Sequence, residues 1–359
     1  MKSYFLLFFL LLGSILFSQE FALTNQRLIK YYDLVNSAEL SIVDDNLTEA
    51  EKLYAEAFIT FEEPHGKDLY NSMMVSLKLK NRKGAFAKYS TLKCLEYKFE
   101  DEFFEKNFPK NFKYNEDNCK VNLDYAYKKT LDSLIELDQQ YRLLSNGNYA
   151  KYKMELTETD SIVATNLARL IEEKGFPNEY NIGMSGTIGG FAQKFYLIIL
   201  HQLATNIWSS QKVNFSEYIN NALNEGKISP EYAVFLLDLN NGKSQFFSKQ
   251  FSINSFIFSN GSEVPIYDQV KNRTAVTDCC YVTDGFFPEK RHDTTKKRVL
   301  ELNENRRKIG LGSIDDVLKK NVFSLNNKEF KFTEMSFDAH SFDKREDAKF
   351  LKDHMFKIN

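Results

Sequence analysis

Over residues 25–99 apolar side chains recur at intervals of three and four, as in Leu53, Ala57, Phe58 and Phe61, or Phe86, Tyr89, Leu92 and Leu95. That period lines them along one face of a helix, and such a face is stable only when buried against other helices. The same spacing returns over residues 132–142 and 160–174, where Gly175-Phe-Pro177 stops it, and then over 215–224 and 230–239. Gly226 supplies a C-cap for the first of the last two, and Pro230 opens the second. Between them lies a very apolar segment, 191–208. After Gly242 the pattern changes: residues 245–251, 255–258 and 264–267 are rich in β-formers, and Asn260-Gly261 reads as a turn. A charged helix over about 294–308 and a short one near 314–319 precede a tail with no clear period. The chain is 14% aromatic and 27% charged, enough apolar surface for a folded core. The reading is a mainly α protein: an N-terminal helical-repeat-like array followed by a mostly helical domain with a small β hairpin or sheet.

Two stretches of the array resemble one another. Asn46, Ala50 and Tyr54 align with Asn81, Ala85 and Tyr89 at an offset of about 35 residues. This resembles a degenerate tetratricopeptide pair, in which a small residue lets paired helices approach and aromatics fill the groove between pairs. A plain helical bundle explains the same spacing. The repeat reading implies a surface for a protein or peptide partner. A formal net charge of -2 gives no electrostatic case for nucleic acid.

Residues 1–18 read as a cleavable signal peptide. Lys2 precedes the apolar run 4–17, and Ser18 is followed by polar Gln19 and Glu20. A spanning helix needs roughly 20 apolar residues, whereas a run this short after a basic start has the proportions of a signal core. The competing reading is an uncleaved anchor. No cysteine stands at the cleavage point to carry a lipid, and no second apolar span follows, so the expected mature form is exported, periplasmic or secreted. Outside the cytoplasm an even set of cysteines permits disulfides. Cys94 and Cys119 lie within one stretch and form the candidate bridge, whereas neighbours Cys279 and Cys280 close only a strained ring. Buried unpaired thiols are the other reading. No CxxC or HxxxH spacing indicates a metal, and no fingerprint calls for a cofactor.

Polar turn formers over residues 108–122 mark a linker. The resulting division is signal peptide 1–18, array 24–107, linker 108–122, second domain 123–325 and tail 326–359. Within the second domain one order of motifs stands out: Asp138-Gln139 with Arg142, Asp160 with Asn166, Gly175-Phe-Pro177, His201 in an apolar helix, Gly242 to Gln250, and Arg306-Arg307 ahead of Gly310-Leu311. Over about residues 130–320 this resembles the bacterial family catalogued as domain of unknown function 6624. The chain departs from that pattern at Leu200, where the family has Gln, at Leu239, where it has Arg, and at Phe247-Ser248-Lys249-Gln250, where it has YGTQ. The resemblance implies candidate pocket positions at Asp138, Gln139, Arg142, His201, Asp238, Gln245, Gln250, Arg306 and Arg307, with no activity attached.

Each position has two readings. His201 sits among Tyr196, Leu197, Ile198, Ile199 and Leu200, as a core histidine does; as a general base its pKa would be set by burial. Asp138 and Arg142 are spaced as an i,i+4 ion pair, or as part of a cluster for an anionic ligand. Gln245 and Gln250 bracket an expected strand and can satisfy backbone groups. Arg306 and Arg307 suit a helix C-terminus, or form a carboxylate or phosphate clamp. The glycines of 183–190 lack the Lys-Ser/Thr ending of a P-loop, and no nucleophile elbow or acidic metal cluster is present. The expected function is that of an exported binding or interaction protein; the alternative is an enzyme or small-molecule binder with a His/Asp/Arg/Gln pocket. Mass spectrometry of the protein recovered from the export compartment is expected to find a chain beginning at Gln19; a retained residue 1–18 segment contradicts the signal reading.

Overall fold

The computed structural model describes residues 21–187, 191–202, 212–241, 244–258, 276–332 and 337–358. The expected signal peptide 1–18, the strand at 264–267 and the second half of the apolar segment lie outside them.

The array is two helix pairs. Helices α1 (Gln26–Val43) and α2 (Leu47–Thr60) form the first, and α3 (Gly66–Lys78) and α4 (Arg82–Cys94) the second. The three aligned positions do equivalent work. Asn46 caps α2 by accepting from the Glu49 amide at 3.3 Å, and Asn81 caps α4 by accepting from the Gly84 amide at 3.0 Å. Ala50 and Ala85 are both fully buried where the helices meet, and Tyr54 and Tyr89 are buried one turn further on. The turns match as well, with Asp45 and Lys80 in the left-handed region at φ 58° and 61°.

A short helix α5 (Phe103–Asn107) leads into the polar stretch expected as a linker. It is irregular, as its turn formers dictate, yet it is a strap against α4 and not a free tether. Phe108 is buried among Phe86, Tyr89 and Phe104, and Cys119 is bridged to Cys94, the last residue of α4, across a Cα separation of 5.4 Å. Cys279 and Cys280 are also joined, so neighbours not expected to pair do so within a strand.

Two long helices follow, α6 (Tyr125–Ser145) and α7 (Lys153–Lys174), then one-turn helices α8 (Glu179–Ile182) and α9 (Tyr196–Leu200), then α10 (Ser216–Asn224) and α11 (Pro230–Asn241). One apolar cluster runs from Leu28, Tyr31 and Val35 of α1 through Val163 and Leu167 of α7 to Ile219, Leu223 and Leu237 of α10 and α11. The array and the expected second domain therefore share a core.

The β region differs from expectation in two places. Residues 245–251 form turns and a 3-10 segment, because Asp238 binds the amides of Gln245 and Phe246 and bends the chain there. The strands are β1 (Ile253–Phe258), β2 (Val276–Val282), β3 (Phe337–Phe342) and β4 (Phe356–Lys357), in the order β3-β1-β2-β4. β1 pairs antiparallel with β2 and parallel with β3, while β4 closes on β2. Residues 326–359, expected as a tail, thus supply half of the sheet together with a one-turn helix α14 (Lys349–Lys352). Helices α12 (Asp293–Lys308) and α13 (Ile314–Asn326) pack beside it, where Val299, Leu302 and Leu318 join Phe251 and Ile253 in a second core.

Replacing both Cys94 and Cys119 by Ser is expected to lower the free energy of unfolding by about 3 kcal/mol, the chain-entropy value for a loop of this size. Urea melts with and without reductant check this; an unchanged midpoint would show that the bridge contributes nothing.

Candidate functional site

The expected pocket residues fall into two groups held by different elements. In the first, Asp138 of α6 is fully buried, with His201 Nδ1 at 2.8 Å and Gln139 donating at 2.6 Å to Oδ2. Arg142, one turn on, donates to the Asp138 carbonyl at 2.7 Å and lies 3.4 Å from its Oδ1, and its other arm reaches Asp160 of α7 at 2.8 Å. The i,i+4 spacing therefore marks an ion pair, but one sealed inside. Burial raises the Asp160 carboxyl above its ordinary range, with Arg142 opposing. Arg142 and His201 are engaged with Asp138 and Asp160, so the group fastens α6, α7 and α9 together.

In the second group Asp238 of α11 accepts from the Gln245 and Phe246 amides at 2.8 and 3.3 Å; burial lifts its carboxyl to about 6 against those amides. Arg306 is buried at 1% exposure and donates to the carbonyls of Gly312 and Phe246 at 2.7 and 3.2 Å. Gln245 and Gln250 serve through their carbonyls, which accept from Asn305 at 3.1 Å and Thr283 at 2.6 Å. Arg307 is exposed on α12. These residues position chain segments; they do not line one cleft with His201.

A different site is the richest in chemistry. A cleft of about 530 Å³, counting space open to solvent, is walled by Glu63, His65 and Lys67 at the start of α3, by Asn178, Glu179 and Tyr180 of α8, by Tyr196 of α9, and by residues 226–229 and Tyr232 ahead of and within α11. Beneath it, Lys67 is buried and paired with Glu39, with Asp68 at 3.2 Å and with Glu231 at 3.2 Å; Lys320 of α13 completes the network at 2.7 Å from Glu39 and 2.7 Å from Asn36. Tyr31 donates to Asp68 at 2.5 Å and accepts from the His65 amide at 3.1 Å, while the Tyr32 hydroxyl lies 3.1 Å from His65 Nε2 with the two rings stacked. Glu179 Oε2 accepts from the Gly66 amide at 2.6 Å.

The titration of these groups follows from burial set against neighbouring charge. Burial works against the Lys67 ammonium, yet Asp68, Glu39 and Glu231 outweigh it and keep that group protonated well above its usual range. Burial also opposes ionised Glu231, but Lys67 prevails and draws it down to about 2. For Asp68 burial wins over Lys67, to about 6, and for Glu179 it wins over the Gly66 amide, to about 8. Burial drops His65 to about 4, leaving a neutral ring at neutral pH.

None of Glu39, His65, Lys67, Glu179, Glu231 and Lys320 stands in a motif. One signal was available: α3 reads Gly66-Lys-Asp-Leu-Tyr-Asn-Ser-Met-Met-Val-Ser-Leu-Lys78, and buried Lys67, Asp68, Asn71, Ser72 and Ser76 leave it without the solvated face its polarity suggests. No protein-family model, curated protein or solved structure matches the chain. Among the described residues no helix is long and apolar enough to cross a membrane, and no group of acidic, His or Cys side chains is arranged to hold a metal.

Folded Glu179 keeps its proton up to about 8, whereas the unfolded carboxyl loses it near 4.5, so its contribution to stability is full at low pH and is lost as pH rises through that window. His65 acts in the opposite sense, its contribution being lost as pH falls from 6.5 toward 4. For Glu179→Gln, the variant-minus-parent difference in melting temperature is therefore expected to grow between about pH 5 and pH 8 in scanning calorimetry. A difference that stays flat contradicts the protonated carboxyl.

Proposed function

We propose that the chain is an exported binding protein whose ligand enters the cleft above Lys67. The observation that carries this is the composition of its walls. Tyr180, Tyr196, Tyr232 and Phe191 provide apolar and aromatic surface, and a few polar groups, Glu63 and Glu179 foremost, converge on it. Residues from the helix pairs and from α8 to α11 build it jointly, so it exists only in the fully folded chain. The short apolar run behind Lys2 and the Cys94–Cys119 bridge support the export part of the reading.

Within this proposal the tetratricopeptide-like pairs act as one wall of the cleft, and the motif order over residues 130–320 supports kinship with domain of unknown function 6624. The mutual engagement of Asp138, Arg142, Asp160 and His201 favours a structural role for that group and leaves binding to the cleft. Thermal-shift screening with a panel of small metabolites tests the cleft. A ligand at about 100 times its Kd stabilises by about 2.7 kcal/mol, a rise of several degrees for a chain of this size. The rise is expected to disappear in Lys227→Trp, which fills the rim of the cleft with an indole. Shifts that survive that variant place the ligand elsewhere.

A further inference from the structure

We infer that the group recognised in this cleft is a primary ammonium, seated between the carboxyls of Glu179 and Glu63 and the rings of Tyr180 and Tyr232. The inference rests on the binding reading above and names its chemistry. It follows from which polar groups of the wall are already engaged. Lys67 is committed to three carboxylates, and Lys227 pairs with Glu225 at 2.5 Å. Asn178 donates to the Phe176 carbonyl and accepts from the Tyr180 amide, Gln193 donates to the Gly183 carbonyl at 3.0 Å, and the Tyr180 hydroxyl donates to the Pro64 carbonyl at 2.8 Å. Apart from the Ser229 hydroxyl, which has no hydrogen-bond partner among the described residues, the side-chain donors named above are engaged, Lys227 with Glu225 at the exposed rim.

The acceptors are not. Glu179 uses Oε2 for the Gly66 amide, and among the described residues its Oε1 has no hydrogen-bond partner; Glu63 is exposed at the rim. The charge beneath the cleft has the same sign, since Glu39, Asp68 and Glu231 outnumber Lys67 and Lys320. An anion would meet carboxyls with only the rim ammonium of Lys227, already paired with Glu225, to offset them, and a neutral polyol would find as donors chiefly the Ser229 hydroxyl and the protonated Glu179 carboxyl. A compact cation finds acceptors, and the faces of tyrosine rings attract it further. Tyr196 and Tyr232 lie with ring centroids 5.6 Å apart on the side facing α8.

Binding has a proton consequence. Glu179 carries its proton in the empty cleft, and seating R–NH3⁺ beside it releases that proton to solvent, leaving a carboxylate paired with the ammonium. The titratable and charged groups around Glu179 are Tyr32 of α1, Glu63, His65, Lys67 and Asp68 at the start of α3, Tyr180 on its own helix, Tyr196 on α9, Lys227 ahead of α11, and Glu231 and Tyr232 on α11. His65, lowered to about 4, stays neutral above pH 6; Asp68, raised to about 6, completes its ionisation at the low end of that range, and Glu179, raised to about 8, is the group that titrates over the rest of it.

Calorimetric titration and amide NMR with n-butylamine, n-butanol and butyrate test the class. Butylamine is expected to bind and to perturb amides at 65–67 and 179–180, with affinity rising from pH 6 to pH 8, proton release visible in buffers of different ionisation enthalpy, and about ten-fold weaker binding in Glu179→Gln. If Glu179→Gln is poorly folded, the exposed-rim variant Glu63→Gln is expected to show a smaller loss, and the parent's pH dependence decides alone. Equal binding of butanol or butyrate overturns the ammonium assignment while leaving the cleft as a binding site. No response at the cleft to any of the three, together with a metabolite panel that gives no Lys227→Trp-sensitive shift, overturns both.

Discussion

A buried lysine organises this protein. Lys67 sits beneath the surface with Glu39, Asp68 and Glu231 around its ammonium, and Glu39 is shared with Lys320. Taking such ions out of water costs several kcal/mol each, returned only when every partner is in place; losing one partner leaves an uncompensated charge worth about 3–5 kcal/mol. The participants come from α1, α3, α11 and α13, so the helix pairs cannot settle without the second half of the chain. The continuous apolar core follows the same logic, since Tyr31 both donates to Asp68 and packs in that core.

Much of the helical part was legible because local rules and tertiary role agree. Asn46 and Asn81 look like caps and are caps, and Ala50 and Ala85 look like contact points and are buried at them. Where the two disagree, sequence reasoning misled. Phe246, Phe247 and Phe251 have the composition of a strand, but the carboxylate of Asp238 captures the amides a strand would need, and the segment turns. Residues 337–342, Phe-Asp-Ala-His-Ser-Phe, are too polar and too poor in β-branched residues to announce a strand. Pairing with β1, not intrinsic preference, makes them one.

The residues singled out for function fall into two sets. Asp138, Arg142 and His201 do come together, and so do Asp238, Gln245 and Arg306, but each set holds elements in place. Spacing of i,i+4 reports that two side chains share a helix face; it carries no information on whether that face meets solvent or another helix. The cleft escaped notice for the complementary reason. Its members are ordinary charges scattered from Glu63 to Tyr232, and only the approach of α8 and α11 to the start of α3 turns them into one surface.

The Lys320 to Glu39 contact joins residues separated by 281 positions. A ribosome delivers the amino-terminal helices long before α13 exists, so for most of synthesis Glu39 lacks one of its two cations and Lys67 lacks Glu231. The early helices can form their turns and caps in that interval, but their ionic centre stays hydrated. The ionic centre is therefore complete only once α11 and α13 have joined α1 and α3, a dependence on contacts of long sequence separation that slows folding.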